Sequence, residues 1–327
     1  MRSAYLTLLF LLFTLVTFAQ KPKRRNIYFY KNDNTRVESA DSADYIQIVS
    51  EPDSGSQLYN VEEFYKNDTR RLIGKSTRIN PVRLDGTVAM FYPNGNKKMY
   101  AEYTDGFLSG KVYQYYPNGK RYIIKEYVVD QKELAIKAYL ANRDSIITSV
   151  FDSTGKPLAE NGNGQYVRYL NNFKDIGEQA TIKDGHFDGK LSGFDERGKI
   201  TFEETYDHGK LISGFSTDSA GVKYLYQQRY VSGQYPGGLS ALGRYLGMNI
   251  RYPDEARRAN IQGTVAIRFT IRRDGTVDDL KVLNPVSPEL DQEALRVVEK
   301  MPKWNKGYAY GRPVPFSYVV PVSFRLQ

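Results

Sequence analysis

One short phrase recurs through this chain and limits its architecture more than any bulk property does. FYKND stands at 29–33 and again at 64–68, FYPNG at 91–95 and YYPNG at 115–119. The last two close longer matched units, LDGTVAMFYPNG from Leu84 and LSGKVYQYYPNG from Leu108, offset by 24 residues without a gap. A later copy, DGHFDGKLSGFDERGK from Asp184, aligns with DGFLSGKVYQYYPNGK from Asp105, and HGKLISGFSTDSAGVKY from His208 is a weaker echo. In each unit aromatic and β-branched residues form a strand, Asn-Gly or an equivalent reverses the chain, and a second strand returns. Asn and Gly accept the positive φ that such turns require. One hairpin cannot bury its aromatic face alone, so units must stack, which predicts an elongated antiparallel β-array. The 27 tyrosines against one tryptophan suit half-buried pleated surfaces, and stacking between hairpins accounts for them better than ligand binding.

The phrase resembles the MORN-repeat variant of bacterial exported and antitoxin-like proteins. Tyr103, Gly106, Gly110, Tyr115, Tyr116, Pro117, Asn118 and Gly119 carry the match. The resemblance implies a scaffold or interaction surface and no chemistry. The stretch from about 130 to 163 fits the unit poorly and reads as an irregular repeat or a loop-bearing insertion. Gly162, Gly164 and Tyr166 restart the array.

Ahead of the repeats, Arg2, the apolar run 4–19 and the small residues Thr17 and Ala19 read as a signal peptide, 1–19, cleaved before Gln20. The run falls short of the roughly 20 residues that a spanning helix needs. The competing reading is an uncleaved inner-membrane anchor, but the heavier positive charge follows the run instead of preceding it. Export places the protein in the periplasm. The formal charge of +9 is scattered among acidic residues apart from KPKRR at 21–25, which argues against nucleic acid. The chain has no cysteine, which excludes disulfides, thiolate metal sites, cysteine nucleophiles and a lipid on an N-terminal cysteine.

At Tyr235 the texture changes. LSALGRYLGMNI sets Leu239, Leu242 and Leu246 at helical spacing, and in RYPDEARRANIQG Pro253 suits a first helical turn. Ala256 and Ala259 are expected inside, with Asn260 as a left-handed stop. GTVAIRFTIRRDGTVDDLKVLNP reads as a hairpin: Val265, Ile267, Phe269 and Ile271 alternate, Asp274-Gly275 turns, and Leu280 and Val282 return. Ser287-Pro288 caps a second helix with Leu290, Ala294, Val297, Val298 and Met301 as its apolar stripe. VPFSYVVPVSFRLQ closes the chain as an alternating strand. Two helices on one face of a three-stranded antiparallel sheet make an α+β domain. The fold class is mostly β plus α+β: a β-rich region at 20–83, hairpin repeats at 84–230 and the domain at 235–327.

Residues 235–327 resemble the C-terminal domain of the TonB family. The resemblance rests on YPGG (235–238), YPDEAR (252–257), IQGTV (261–265), RRDGTV (272–277), LDQEALRVV (290–298), MPKW (301–304), GRPV (311–314) and VPVSF (320–324). It implies a periplasmic domain that grips a short extended peptide, the TonB box, of an outer-membrane receptor and transmits force from an inner-membrane motor. Two features depart from the family pattern: the run at 4–19 has no histidine, and repeats stand where a proline-rich spacer is expected.

The residues supply part of this themselves. Pro321 lies inside the closing strand without an N–H to give, so that strand has an unpaired side. Such an edge either blocks unwanted pairing or accepts a peptide by strand addition. With the resemblance, the binding edge is read as Ser317, Tyr318, Val319, Val320, Pro321, Val322, Ser323, Phe324 and Arg325. Arg325 and Arg251 are candidates for an acidic peptide group. Arg251, Tyr252 and Trp304 flank the edge, with Tyr252 and Trp304 read first as packing residues and second as contacts.

The leading functional expectation is a non-enzymatic periplasmic protein that captures an extended segment of an envelope partner, in TonB-dependent transport or as its accessory. The partners expected are an outer-membrane TonB-dependent receptor peptide and, if the N-terminus stays uncleaved, the inner-membrane motor complex. The alternative is a structural adaptor whose repeats bind peptidoglycan, lipid or protein while the C-terminal domain forms a homodimer. No nucleophile motif, metal-ligand spacing or phosphate-binding loop is recognisable, so no catalytic residue, metal or cofactor is expected. The carboxylates of DGHFDGK recur at turns, where Asp is expected for backbone reasons. His186 and His208, the two histidines, each sit beside a turn glycine without a second ligand at metal-site spacing, and neither is read as a ligand or general base.

Overall fold

The structure is a computed structural model and describes residues 23–127 and 145–326. The expected signal peptide and residues 130–144 of the irregular stretch lie outside the described residues. The chain divides into two compact units. The first runs to Arg121 and takes in Glu126 and Tyr127; the second comprises Tyr122–Lys125 and Ser145 onward.

The first unit holds β1 (Arg25–Tyr30), β2 (Arg36–Val37), β3 (Tyr45–Ser50), β4 (Tyr59–Tyr65), β5 (Arg70–Ser76), β6 (Gly86–Phe91), β7 (Lys97–Thr104) and β8 (Phe107–Tyr115). From β3 to β8 each strand pairs antiparallel with the next, and β1 lies beside β3. The recurring phrase builds one turn repeatedly. Tyr92 and Tyr116 donate their N–H to Asn96 and Lys120 carbonyls, while Gly95 and Gly119 take φ of 84° and 85°. Asn94 and Asn118 side chains accept from the N–H two residues on, at 3.1 and 3.0 Å. The second FYKND copy folds the same way from Tyr65, with Asp68 at positive φ, whereas the first makes its turn one residue later, from Lys31, with Asn34 at positive φ. Neighbouring turns are stitched together by the same residues. The Tyr65 and Tyr92 hydroxyls donate to the Phe91 and Tyr115 carbonyls, and the Asn67 and Asn94 amides donate to the Pro93 and Pro117 carbonyls. The repeat is therefore a packing unit, as stacking requires. Beneath it runs a buried row of one small side chain per strand, with Val49, Val61, Val88, Ala101 and Val112 within 1% of full burial. Gly74 fills the β5 place, where a Cβ would meet Val88 at 3.0 Å.

β9 (Arg121–Tyr127) gives its middle to the second unit, which continues with β10 (Ser145–Phe151), β11 (Pro157–Glu160), β12 (Asn163–Leu170), β13 (Asp175–Lys183), β14 (His186–Asp195), β15 (Ile200–Asp207), β16 (Lys210–Thr217) and β17 (Lys223–Tyr226). From β10 to β17 pairing is again antiparallel and sequential. The later part of the stretch read as irregular forms the hairpin β10–β11.

The C-terminal part of the second unit contains β18 (Tyr230–Val231), α1 (Gly238–Asn249), α2 (Asp254–Arg258), β19 (Gly263–Ile271), β20 (Val277–Asn284), α3 (Pro288–Glu299), β21 (Gly307–Ala309), β22 (Arg312–Val314) and β23 (Phe316–Phe324). β20–β19–β23 is the expected three-stranded antiparallel sheet. Its inner face, with Val265, Ile267, Phe269, Ile271, Val320, Val322 and Phe324, packs on Leu290, Ala294, Val297 and Val298 of α3 and Leu242 of α1. Ser287 caps α3 by accepting from the Leu290 N–H, with Pro288 in the first turn. The turn at Asp274-Gly275 forms with Gly275 at φ 88°.

Three helices stand where two were expected. Ile250 and Pro253 are extended, with ψ of 130° and 136°, and they divide α1 from α2. The residue before a proline avoids the helical region, so Tyr252 cannot carry α1 onward. Pro253 consequently precedes α2 as its cap. Two expected core positions are also corrected: Leu239 is 74% exposed and Ala259 is exposed. Leu239 sits in the first turn of α1, before Leu242 reaches the core. Ala259 follows the last turn of α2, next to Asn260, which takes the predicted left-handed φ of 54°.

Candidate functional site: an open sheet edge

β23 pairs with β19 over nine positions, from Gly263↔Phe324 to Ile271↔Phe316, without a register shift. Among the described residues it pairs with no other strand, so its second side is the edge that Pro321 implied. The proline also fixes which main-chain groups face that edge. Antiparallel neighbours alternate between pairs that exchange both hydrogen bonds and pairs that exchange none. Pro321 has no N–H, so Ala266↔Pro321 must be of the second kind, and its carbonyl points away from β19. By alternation Phe316, Tyr318, Val320, Val322 and Phe324 bond inward. Ser317, Val319 and Ser323 then direct both N–H and C=O outward.

Side chains follow the same alternation. Val320, Val322 and Phe324 are buried, and Phe316 and Tyr318 half-buried. Ser317, Val319, Pro321, Ser323 and Arg325 are exposed on the open face, where Arg268 stands opposite Val319. The Phe316 ring fixes one end of the strand by lying against Gly233 and Gly307, where an added Cβ would come within 2.0 and 2.8 Å. At the other end the Tyr252 ring meets Phe324 edge-on at 5.8 Å, and its hydroxyl donates to the Ile261 carbonyl at 2.5 Å.

The flanking candidates separate. Arg251 is exposed, and its N–H donates to Glu293 Oε1 at 2.7 Å. Arg296 holds the same carboxylate from Nε at 2.6 Å. Burial pushes the Glu293 pKa up, but these hydrogen bonds and charges outweigh it and the net shift is downward. Tyr252 is a packing residue beside the edge. Trp304, read first as packing, is a core residue: 3% exposed, it lies against Tyr235, Phe269 and Tyr318 at 4.8–5.5 Å.

A second constellation had no role in the sequence reading. Cross-strand pairing runs Tyr166–Ala180–Leu191–Glu204–Gly214–Tyr226 along the buried face of the second unit, so Glu204 interrupts an otherwise apolar and aromatic row. Its carboxylate is fully buried and paired with Arg229, while Tyr226 and Tyr206 donate to it at 2.9 and 3.1 Å. Burial, reinforced by the Glu204 charge, pushes the Tyr226 hydroxyl pKa up, so it stays a donor. The Arg229 guanidinium also lies 5.1 and 5.4 Å from the Phe202 and Tyr310 ring centres. Tyr310, in the β21–β22 turn, lies against the Phe202 ring at 4.7 Å with the rings tilted by 38°, and its carbonyl accepts from Ser216 Oγ at 2.7 Å. Arg312 adds a bond to the Gly198 carbonyl at 2.9 Å. The C-terminal domain is thereby seated on the repeat strands of its own unit. The available signal was TFEETYD, in which strand alternation puts Glu204 between Phe202 and Tyr206.

The turns at the other end of β14 and β15 bring together Asp188, Asp207 and His208, whose ligating atoms lie within 4.8 Å of one another. They are 20 residues apart in sequence, so spacing along the chain could not reveal them.

Comparison with known proteins assigns the domain that carries the edge. Residues 248–326 match the family model for the Gram-negative bacterial TonB protein C-terminal. Two solution structures of the Helicobacter pylori TonB C-terminal domain are similar to part of the chain. One is 26% identical, covers 27% of this chain and 80% of that one, and has a TM-score of 0.22. The other is 25% identical, covers 27% and 91%, and also has a TM-score of 0.22. No curated protein matches. The TonB C-terminal family comprises non-enzymatic transport proteins of the cell envelope that interact with outer-membrane receptors. Among the described residues no helix is long and apolar enough to cross a membrane.

Proposed function

We propose that this is an exported periplasmic protein of the TonB family that binds an extended peptide of an envelope partner by adding it as a fourth strand beside β23. The peptide belongs to the class presented by outer-membrane receptors, and the role is in TonB-dependent transport or as its accessory. The observation that carries the reading is the free side of β23, a nine-residue strand bonded to β19 alone. Ser317, Val319 and Ser323 supply donors and acceptors there, Pro321 an acceptor only. A visiting strand must leave one carbonyl unpaired opposite Pro321, and its register is set by the alternating side chains it places on the two faces. Arg325 and Arg251 are offered to acidic groups at the peptide's end. No catalytic residue is assigned. The MORN-like repeats serve as the scaffold on which the domain is mounted, and residues 1–19 direct export.

The test is titration of the full chain with a synthetic peptide from the extended periplasmic segment of an outer-membrane receptor, followed by amide NMR. The expected perturbations centre on Ser317, Val319 and Ser323. Val319→Pro removes an outward donor while sparing the β19 ladder, and it should abolish binding in a folded protein. Val320→Pro removes an inward donor and should unfold the domain. Unaltered peptide affinity in Val319→Pro sinks the reading. Concentration-dependent dimerisation that persists under saturating peptide would favour the structural adaptor instead.

A further inference from the structure

The repeat strands carry a cluster that strand addition does not use. Asp188 stands near the start of β14, Asp207 ends β15, and His208 opens the turn to β16. One ligating atom from each lies within 4.8 Å of the others. The two turns are joined by a main-chain bond from the Gly209 N–H to the Phe187 carbonyl at 2.8 Å. Within the cluster the His208 Nδ1 lies 2.6 Å from Asp207 Oδ1. The Asp188 carboxylate has no hydrogen-bond or ion-pair partner among the described residues, unlike the turn aspartates Asp152, Asp218 and Asp274, which accept from backbone N–H groups two residues on. The second histidine of the chain stands beside the same turn: an added Cβ on Gly209 would meet His186 Nδ1 at 3.2 Å. Both imidazoles of a 327-residue chain are thus gathered at one pair of turns.

We propose that Asp188, Asp207 and His208 form a binding site for a divalent transition-metal cation of the zinc class. Ligands about 2.0–2.2 Å from such an ion stand roughly 3–4 Å apart, so the present spacing needs only a small closing movement. One imidazole with two carboxylates is a donor set for zinc and its neighbours, whereas magnesium and calcium prefer oxygen alone. Asp207 and His208 are exposed, so the ion keeps an open side for water or for a donor from a partner. Held there, it clamps the turn of β15–β16 to the start of β14.

The experiment is calorimetric titration of the full chain with zinc chloride, repeated with magnesium and calcium chlorides. Histidine ring spectra are recorded in parallel, and with two histidines in the chain His208→Ala assigns both signals. One-to-one zinc uptake is expected, displacing the His208 signals, with magnesium and calcium much weaker. Asp188→Asn and His208→Ala should each weaken zinc by at least about tenfold. These side chains sit on exposed turns, and unchanged thermal transitions show that the variants fold. Absence of saturable uptake, uptake unaltered by both substitutions, or equal affinity for magnesium and calcium overturns the proposal.

Discussion

Glu293 holds the chain between α1 and α2 in place by accepting from the Arg251 N–H while Arg296 grips it from α3. Burial opposes its charge, yet these partners keep its pKa below the ordinary 4.5. A carboxyl with a lowered folded pKa contributes stability that is complete above its unfolded value and is lost as pH falls through the folded one. Glu293→Gln should therefore reduce stability at neutral pH and flatten the loss below about pH 4.5, read from urea midpoints between about pH 7 and pH 3. Equal acid limbs for both proteins would contradict this. Phe269, fully buried against Trp304 and Tyr318, sets the scale of the core: Phe269→Ala should cost about 3–5 kcal/mol in the same assay. The α3 stripe and the inner face of β19 were legible because helical and strand periods mark them directly. Leu239 was not, since periodicity ranks apolar residues by spacing and does not see where a helix enters its core.

At the level of elements, β23 depends on one missing donor. Pro321→Val restores an outward N–H at the centre of the open edge and removes the interruption that guards it. The variant should self-associate more strongly than the natural chain, measured by sedimentation over a range of concentrations; an unchanged monomer–dimer balance would show that Pro321 does not guard the edge. The edge itself was legible from a single residue, because proline excludes a central place in a sheet. The repeat hairpins were legible for a comparable reason, as Asn and Gly recur where positive φ is needed. The α1–α2 break was signalled by Pro253 but read as a helix start, which hid the extended residues before it. β21 and β22, three residues each, are too short for any period to register.

For the second unit as a whole, the decisive contact joins Glu204 to Arg229 beneath Tyr310. Removing one partner of a buried ion pair leaves the other uncompensated, typically at about 3–5 kcal/mol. Arg229→Ala should therefore separate the protection of β15–β16 from that of β21–β22 in hydrogen exchange, where the natural chain protects them together. Common protection in the variant would mean that the other Tyr310 and Arg312 contacts suffice. This seating could not be read from the sequence, because it depends on residues brought together over 80 to 114 positions, as in Tyr230–Tyr310 and Gly198–Arg312. Its mechanical consequence follows from chain order. β22 ends at Val314 and β23 begins at Phe316, so a tug along the open edge runs lengthwise into main-chain bonds that share the load. One residue later it reaches the hairpin whose tip is braced on Phe202 and Ser216. Traction on the rim arrives at the repeats without slack.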